Sequence, residues 1–169
     1  MSGFFLQNMS SINKNLSDYD PTQVPSATGM RIGIVVADWN PEVTNALLDG
    51  AIESLIYHGT QKKDISVSRV PGSYELTVAA QWMAEKGNFD AIICLGCVIQ
   101  GETRHFDFIC QAVSTGLTDL SIKFSIPFIF GVLTPENQEQ ALARAGGKHG
   151  NKGVEAAITA IKMVALKKE

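Results

Sequence analysis

The chain of 169 residues is short of cysteine, of clustered positive charge and of long apolar runs, and each shortage removes a class of function. Its three cysteines, Cys94, Cys97 and Cys110, are an odd count, and the N-terminus, MSGFFLQNMS, has neither the basic start nor the apolar stretch of a secretion signal. A disulfide framework is therefore not expected. Cys94 and Cys97 do spell C-x-x-C, but a redox pair of that kind sits where a helix begins, and this one lies inside an apolar run that reads as a strand. Free thiols packed as small apolar side chains are the expectation. With 14 Lys and Arg against 17 Asp and Glu, a net charge of −3 and a pI near 5.6, there is no basic surface for a phosphate backbone. Lys167-Lys168 reads as a solvated helix end. The longest apolar runs reach about half of the ~20 residues that a membrane helix needs. No Cys/His/Asp ligand cluster and no glycine-rich nucleotide loop stands in the turns, so neither metal nor cofactor is expected. What remains is a soluble cytoplasmic protein with no nucleic-acid or membrane partner.

The apolar content, 45% of the residues, suffices for one large core and one domain. Residues 1–29 are rich in Ser, Asn, Asp and Pro with scattered apolar anchors (Phe4, Phe5, Leu16, Tyr19, Val24), which predicts an extended arm preceding a single domain over residues 30–169. From residue 30 a unit recurs. The run MRIGIVVA predicts a first strand, Asn40-Pro41 a capped helix start, and Val43, Leu47, Ala51 and Leu55 a helical stripe that Gly59 ends. A second strand over residues 65–70 leads through Pro71-Gly72 to a helix with Leu76, Ala79, Ala80 and Met83 on one face. A third strand over residues 91–99 precedes a long helix from about Arg104, striped by Phe106, Ile109, Val113, Leu117, Leu120 and Phe124. The fourth strand spans residues 128–133, Thr134-Pro135 opens a helix, and a glycine-rich break over residues 146–150 precedes a last helix striped by Val154, Ile158, Ile161 and Ala165. Strands alternating with helices imply right-handed crossovers and an α/β fold, a three-layer α-β-α sandwich with a four-stranded parallel sheet covered on both faces.

In such sheets ligands bind at the C-terminal ends of the strands, which makes the strand-to-helix turns the place to look. Turn one carries Asp38-Trp39-Asn40, turn two Pro71-Gly72-Ser73-Tyr74-Glu75, turn three the run from Gln100 to His105, and turn four follows Phe130-Gly131. Aromatic faces, a carboxylate, exposed amides and an imidazole together suit a flat polar heterocycle beside an anion. Gly101, Glu102 and Thr103 open a helix whose first N–H groups can hold that anion, and His105 next to them can move protons near neutral pH. Arg144 and Lys152, flanking the glycine break, could complete the anion site, with Glu155 a partner for either. Plainer readings stand beside these: Trp39 as a cap on the core, Glu75 as a complement to a helix dipole, Arg144 as a surface ion pair. His58 and His149 read as structural or exposed.

Four segments, VPGSYEL (70–76), GCVIQGETRHFD (96–107), PFIFGVLT (127–134) and RAGGKHGNKG (144–153), closely resemble the 6,7-dimethyl-8-ribityllumazine synthase family in order and spacing, and the resemblance runs over residues 30–162. It implies a flavodoxin-like sheet and a cofactor-independent transferase acting in the penultimate step of riboflavin biosynthesis. In that step 5-amino-6-(D-ribitylamino)uracil condenses with 3,4-dihydroxy-2-butanone 4-phosphate, with loss of phosphate and two waters. Carried over by position, it implies that Trp39 and Asn40, Ser73 to Glu75 and Cys97, Val98 and Ile99 hold the pyrimidine and its ribityl chain. Phe130 closes the pocket from a neighbouring subunit. Gly101, Glu102, Thr103 and Arg144 bind the phosphate, Lys152 and Glu155 support them, and His105 transfers protons. It further implies a homo-oligomer, a pentamer; the absence of an insertion over residues 144–153 favours a shell of sixty subunits, which could enclose riboflavin synthase. Two other readings compete. A phospho-accepting signalling domain needs an acidic pair after strand one and an aspartate ending strand three, and neither is present. A non-catalytic shell or flavin-type binding protein would have no use for both His105 and Arg144.

Overall fold

The computed structural model describes residue 15 and residues 17–169. Elements follow in the order β1 (Ile32–Ala37), α1 (Pro41–Tyr57), β2 (Ile65–Val70), α2 (Leu76–Lys86), β3 (Ala91–Cys97), α3 (His105–Phe124), β4 (Phe128–Leu133), α4 (Gln138–Ala143), β5 (Ala145–Gly147), β6 (Gly150–Asn151) and α5 (Lys152–Lys168). The first four strands form one parallel sheet in the order β2-β1-β3-β4, the flavodoxin-like arrangement. β1 and β3 are buried along their whole length, as continuous β-branched runs with helices on both faces must be, whereas the edge strand β2 exposes Ser66 to Arg69.

Two core layers flank the sheet. On one face Val43, Leu47, Ala51 and Leu55 of α1 meet Ala156, Ala157, Ala160 and Ile161 of α5 over Ile32, Ile34, Ile93 and Leu95. On the other, Leu76, Ala80 and Met83 of α2 and Val113, Leu117 and Leu120 of α3 cover Val35, Ile92, Cys94 and Phe128. Cys94 and Cys97 lie inside this packing, and burial pushes their thiols up to about 12 and about 11. That agrees with inert apolar cysteines.

Several boundaries differ from the sequence reading for identifiable reasons. Asn40 does not cap α1 with its side chain: its backbone is left-handed (φ 60°), and its Nδ2 instead donates to the carbonyl of Cys97 at 3.0 Å. β3 ends at Cys97, not Ile99, although the chain stays extended: Val98 N–H bonds to Leu133 O at 2.8 Å and Gln100 N–H to Pro135 O at 2.9 Å. Residues 134–135 are thereby held as an extension of β4, so α4 begins only at Gln138, where the Asn137 side chain accepts from Gln140 N–H at 2.9 Å. The glycine break is a hairpin, β5 antiparallel to β6, with Gly147 opposite Gly150. In α5, Ile158 and Ile161 are buried as expected, but Val154 and Ala165 are only half-buried, and the buried face runs instead through Gly153, Ala156, Ala157, Ala160 and Val164. Small residues carry this contact because α5 approaches α1 closely.

Of the anchors expected in the arm, Phe4, Phe5 and Leu16 lie outside the described residues. Val24 packs against the α1/α5 layer. The hydroxyl of Tyr19 lies 3.1 Å from His58 Nε2, and Ser17 Oγ accepts from the backbone N–H of Asn151 at 3.0 Å.

Gly153 marks the closest point of the two helices: a Cβ there would run into the backbone carbonyl of Leu47. Backbone cannot move aside as a side-chain tip can. Gly153→Ala is expected to lower the unfolding free energy by roughly 1–3 kcal/mol, at the upper end of overpacking costs, despite the better helix propensity of alanine. Denaturant unfolding of the variant checks this, and an unchanged midpoint would mean that α5 is free to shift outward.

Candidate active site

The strand order reverses between β1 and β3, because the crossover after β1 leads outward to β2 and the next crosses back over β1. The two turns that leave these strands diverge there and open a crevice. Asn40 holds its floor together, since the 3.0 Å bond to Cys97 O ties the end of turn one to the end of β3. Asp38 makes a 2.6 Å ion pair with Arg69, whose Nη2 reaches Asn45 Oδ1 at 2.9 Å, so turn one is braced from the β2 side as well.

The resulting cleft, about 540 Å³, is lined by Trp39, Asn40, Gly72 to Glu75, Cys97 to Ile99, His105 and Ile109. Sequence reasoning had placed nearly all of these residues in one site, and the fold brings them together. Trp39 is 72% exposed and Tyr74 60%, which rules out core capping for the indole and leaves both rings as open walls. Ser73 is buried, and its hydroxyl has no hydrogen-bond partner among the described residues. It fits there because residue 96 is glycine, where a Cβ would come within 2.5 Å of Ser73 Oγ. Cys97, with its thiol largely protonated at neutral pH, offers the cleft its backbone more than its sulfur.

His105 is the first residue of α3 and is exposed on the cleft side. Gly101, Glu102 and Thr103 precede it on an exposed loop; the N–H of His105 reaches Thr103 Oγ1 at 3.4 Å, while the N–H groups of Glu102 and Thr103 donate to no group among the described residues. Those free donors at the start of a 20-residue helix are suited to an anion.

Phe130, Arg144 and Lys152 do not join this cleft within one chain. They line a second cavity, about 890 Å³, beyond the end of β4, together with Leu133, Glu136, Glu139, Lys148 and His149. Arg144 is half-buried, and one guanidinium nitrogen, Nη1, is fully covered without a partner among the described residues. Lys152 pairs with Glu155 at 2.6 Å, so the carboxylate expected near this cluster belongs to the lysine. His149, read from sequence as structural or exposed, is in fact part of this wall: the hairpin folds residues 148–149 back toward Arg144, and His149 N–H donates to Ala143 O at 2.8 Å. The signal was available in G-G-x-x-G, the spacing of a tight hairpin, had the break been taken as paired strands. Burial, Arg144 and Lys148 together hold the imidazole below the usual histidine range.

Chemically the two cavities differ. The first offers flat aromatic surfaces, backbone donors and acceptors and one exposed imidazole; the second brings Arg144, Lys148, His149 and Lys152 together beside Glu136 and Glu139. Comparison with known proteins bears on what unites them. The family model for 6,7-dimethyl-8-ribityllumazine synthase matches residues 29–168. A protein of that name from Cytophaga hutchinsonii is 60% identical over 93% of this chain and 98% of its own length. Namesakes from Parabacteroides distasonis and Porphyromonas gingivalis are 53% and 51% identical, over 92% and 95% of this chain and 98% and 99% of theirs. Identity at that level over the whole folded domain, both cavities included, leaves no ambiguity of descent: the chain belongs to the 6,7-dimethyl-8-ribityllumazine synthase family.

Proposed function

We propose that the protein condenses 5-amino-6-(D-ribitylamino)uracil with 3,4-dihydroxy-2-butanone 4-phosphate to 6,7-dimethyl-8-ribityllumazine, phosphate and two waters, as a transferase in riboflavin biosynthesis that uses no cofactor. The observation that carries the reading is the cleft at the β1/β3 switch point in a chain of this family, with Trp39, Ser73 and His105 on its walls. The indole of Trp39 stacks on the pyrimidine. Asn40, Ser73, Tyr74, Glu75, Cys97, Val98 and Ile99 hold the ring edge and the ribityl chain, largely through backbone groups and the unpartnered Ser73 hydroxyl. The N–H groups around Gly101, Glu102 and Thr103 receive the phosphate, and Arg144, supported by Lys152 and Glu155, neutralises it. His105 accepts and returns the protons that imine formation, phosphate elimination and ring closure release. Amine and ketone bring their own reactivity, so much of the rate gain lies in holding them together.

This division of labour requires two chains. Phe130 and Arg144 share one cavity, so a neighbour that presents Phe130 to the cleft presents the Arg144 cluster with it. We take the assembly to be a pentamer and, with the hairpin over residues 145–151 so short, a shell of sixty subunits able to enclose riboflavin synthase. Exposed Trp82, Phe108 and Ile122 on α2 and α3 support subunit contacts on that side. Residues 1–29 are read as an arm on a single domain over residues 30–169, and the location as cytoplasmic; no helix among the described residues is long and apolar enough to cross a membrane.

Two substitutions test the roles. His105→Ala is expected to lower kcat by roughly ten- to a thousandfold with little change in KM, the signature of a lost proton shuttle in a site that works mainly by positioning. Following formation of the fluorescent lumazine checks it, and an unchanged rate removes His105 from the mechanism. Arg144→Ala is expected to raise KM for the phosphate substrate roughly ten- to 150-fold, the equivalent of about 1.5–3 kcal/mol for a charge-assisted contact, while KM for the ribitylaminouracil stays near normal. Equal weakening of both substrates would make Arg144 an interface residue instead.

A further inference from the structure

We infer that His149 is a further contact for the substrate phosphate, beside Arg144 and Lys152, and that the phosphate dianion draws a proton onto its ring as it binds. The inference rests on the placement of the phosphate at Arg144 proposed above. His149 lines the same cavity as Arg144, one nitrogen of which is covered without a partner among the described residues, and the place of His149 there is fixed by backbone. The hairpin sets Gly147 opposite Gly150, His149 N–H is bonded to Ala143 O at 2.8 Å, and Lys152 N–H to Arg144 O at 2.9 Å. Four residues able to carry positive charge, Arg144, Lys148, His149 and Lys152, therefore converge on one cavity. Glu136 and Glu139 line it too, and Glu155 is engaged by Lys152. Helix α1 touches the hairpin at Asn151, through the Ala46 carbonyl and Gly50.

The electrostatic consequence follows from the company His149 keeps. Without an anion, partial desolvation, Arg144 and Lys148 disfavour the imidazolium and hold its pKa below the usual value, which favours the neutral ring. A phosphate dianion placed among the same groups reverses the sign of the field and favours the charged ring. The pKa is then higher in the complex than in the free protein. The added affinity is fully present below the free-state pKa and is lost as pH rises through the bound-state pKa. A neutral ring still offers one N–H, so part of the contact survives at high pH.

The test uses the assembled full-length enzyme and KM for the butanone phosphate between pH 6 and 8.5, in wild type, His149→Gln and His149→Lys. His149→Gln keeps a donor but no charge. It is expected to raise KM roughly three- to tenfold at pH 6, narrowing to less than twofold at pH 8.5, with KM for the ribitylaminouracil unchanged throughout. His149→Lys, charged at every pH, is expected to hold the low-pH affinity up to pH 8.5. As an independent readout, calorimetric titration with inorganic phosphate in buffers of different ionisation enthalpy is expected to show more proton uptake by wild type at pH 7 than by His149→Gln. If Arg144→Ala weakens the phosphate substrate but His149→Gln leaves KM alone at all pH values, the inference fails while the site assignment stands. A loss that is the same at every pH, or equal proton uptake by both proteins, overturns the protonation. If Arg144→Ala itself has no effect on this KM, the phosphate placement falls and His149 falls with it.

Discussion

Parallel pairing of β1 on both of its edges is the constraint from which the rest of the molecule follows. A strand flanked by parallel neighbours has them joined on through crossovers, and those crossovers cover both faces, so IGIVVA can be apolar at every position rather than at alternate ones. Because β2 lies on one side and β3 on the other, the turns leaving these strands part at their C-terminal ends. The cleft is the space between them. One side-chain bond, from Asn40 to the Cys97 carbonyl, then converts a topological gap into a floor of fixed shape, and it is made by a residue whose backbone sits in the left-handed region.

The elements legible in the sequence were those whose signal is the spacing of large apolar residues. β1, β2 and β4, α1 through Val43, Leu47, Ala51 and Leu55, and α3 through Val113, Leu117 and Leu120 all sit where that spacing placed them. Where the signal lay in chemistry that two structures share, the reading went astray. Asn before Pro is written the same way whether the amide caps its own helix or reaches across to another strand. Thr134-Pro135 could open a helix or extend a strand, and pairing with residue 100 decides for the strand. In α5 Ile158 and Ile161 were found by their spacing, but much of the packing face is glycine and alanine, which a search for bulky residues passes over.

The site shows the same limit. Trp39, Ser73 to Glu75, Cys97 to Ile99 and His105 were brought to one place because the turns they occupy all lie at strand ends, a relation the strand pattern carries. Arg144 and Phe130 line a different cavity, and nothing in spacing distinguishes the two. The residues alone offered Arg144 to an anion site beside the plainer reading of a surface ion pair, and only the resemblance to a family suggested a role for Phe130. The position of His149 on the wall of that cavity could not be read from spacing for a local reason, since it depends on a hairpin only a few residues long.

The contact of α5 with α1 also sets an asymmetry in how the protein tolerates change. On that face stability comes from proximity: Gly153 lies against the Leu47 backbone, and Gly50 against the Asn151 side chain. Neither glycine has room to gain a side chain, although Leu47, Leu55 and Ile161 fill the rest of the layer with bulk. On the opposite face, where Leu76, Leu117, Leu120 and Phe128 fill the space between helices and sheet, volume is abundant and truncation leaves cavities. Substitution at the helix contact should therefore do its damage by enlargement, whereas at the large side chains of either layer it does so by shortening.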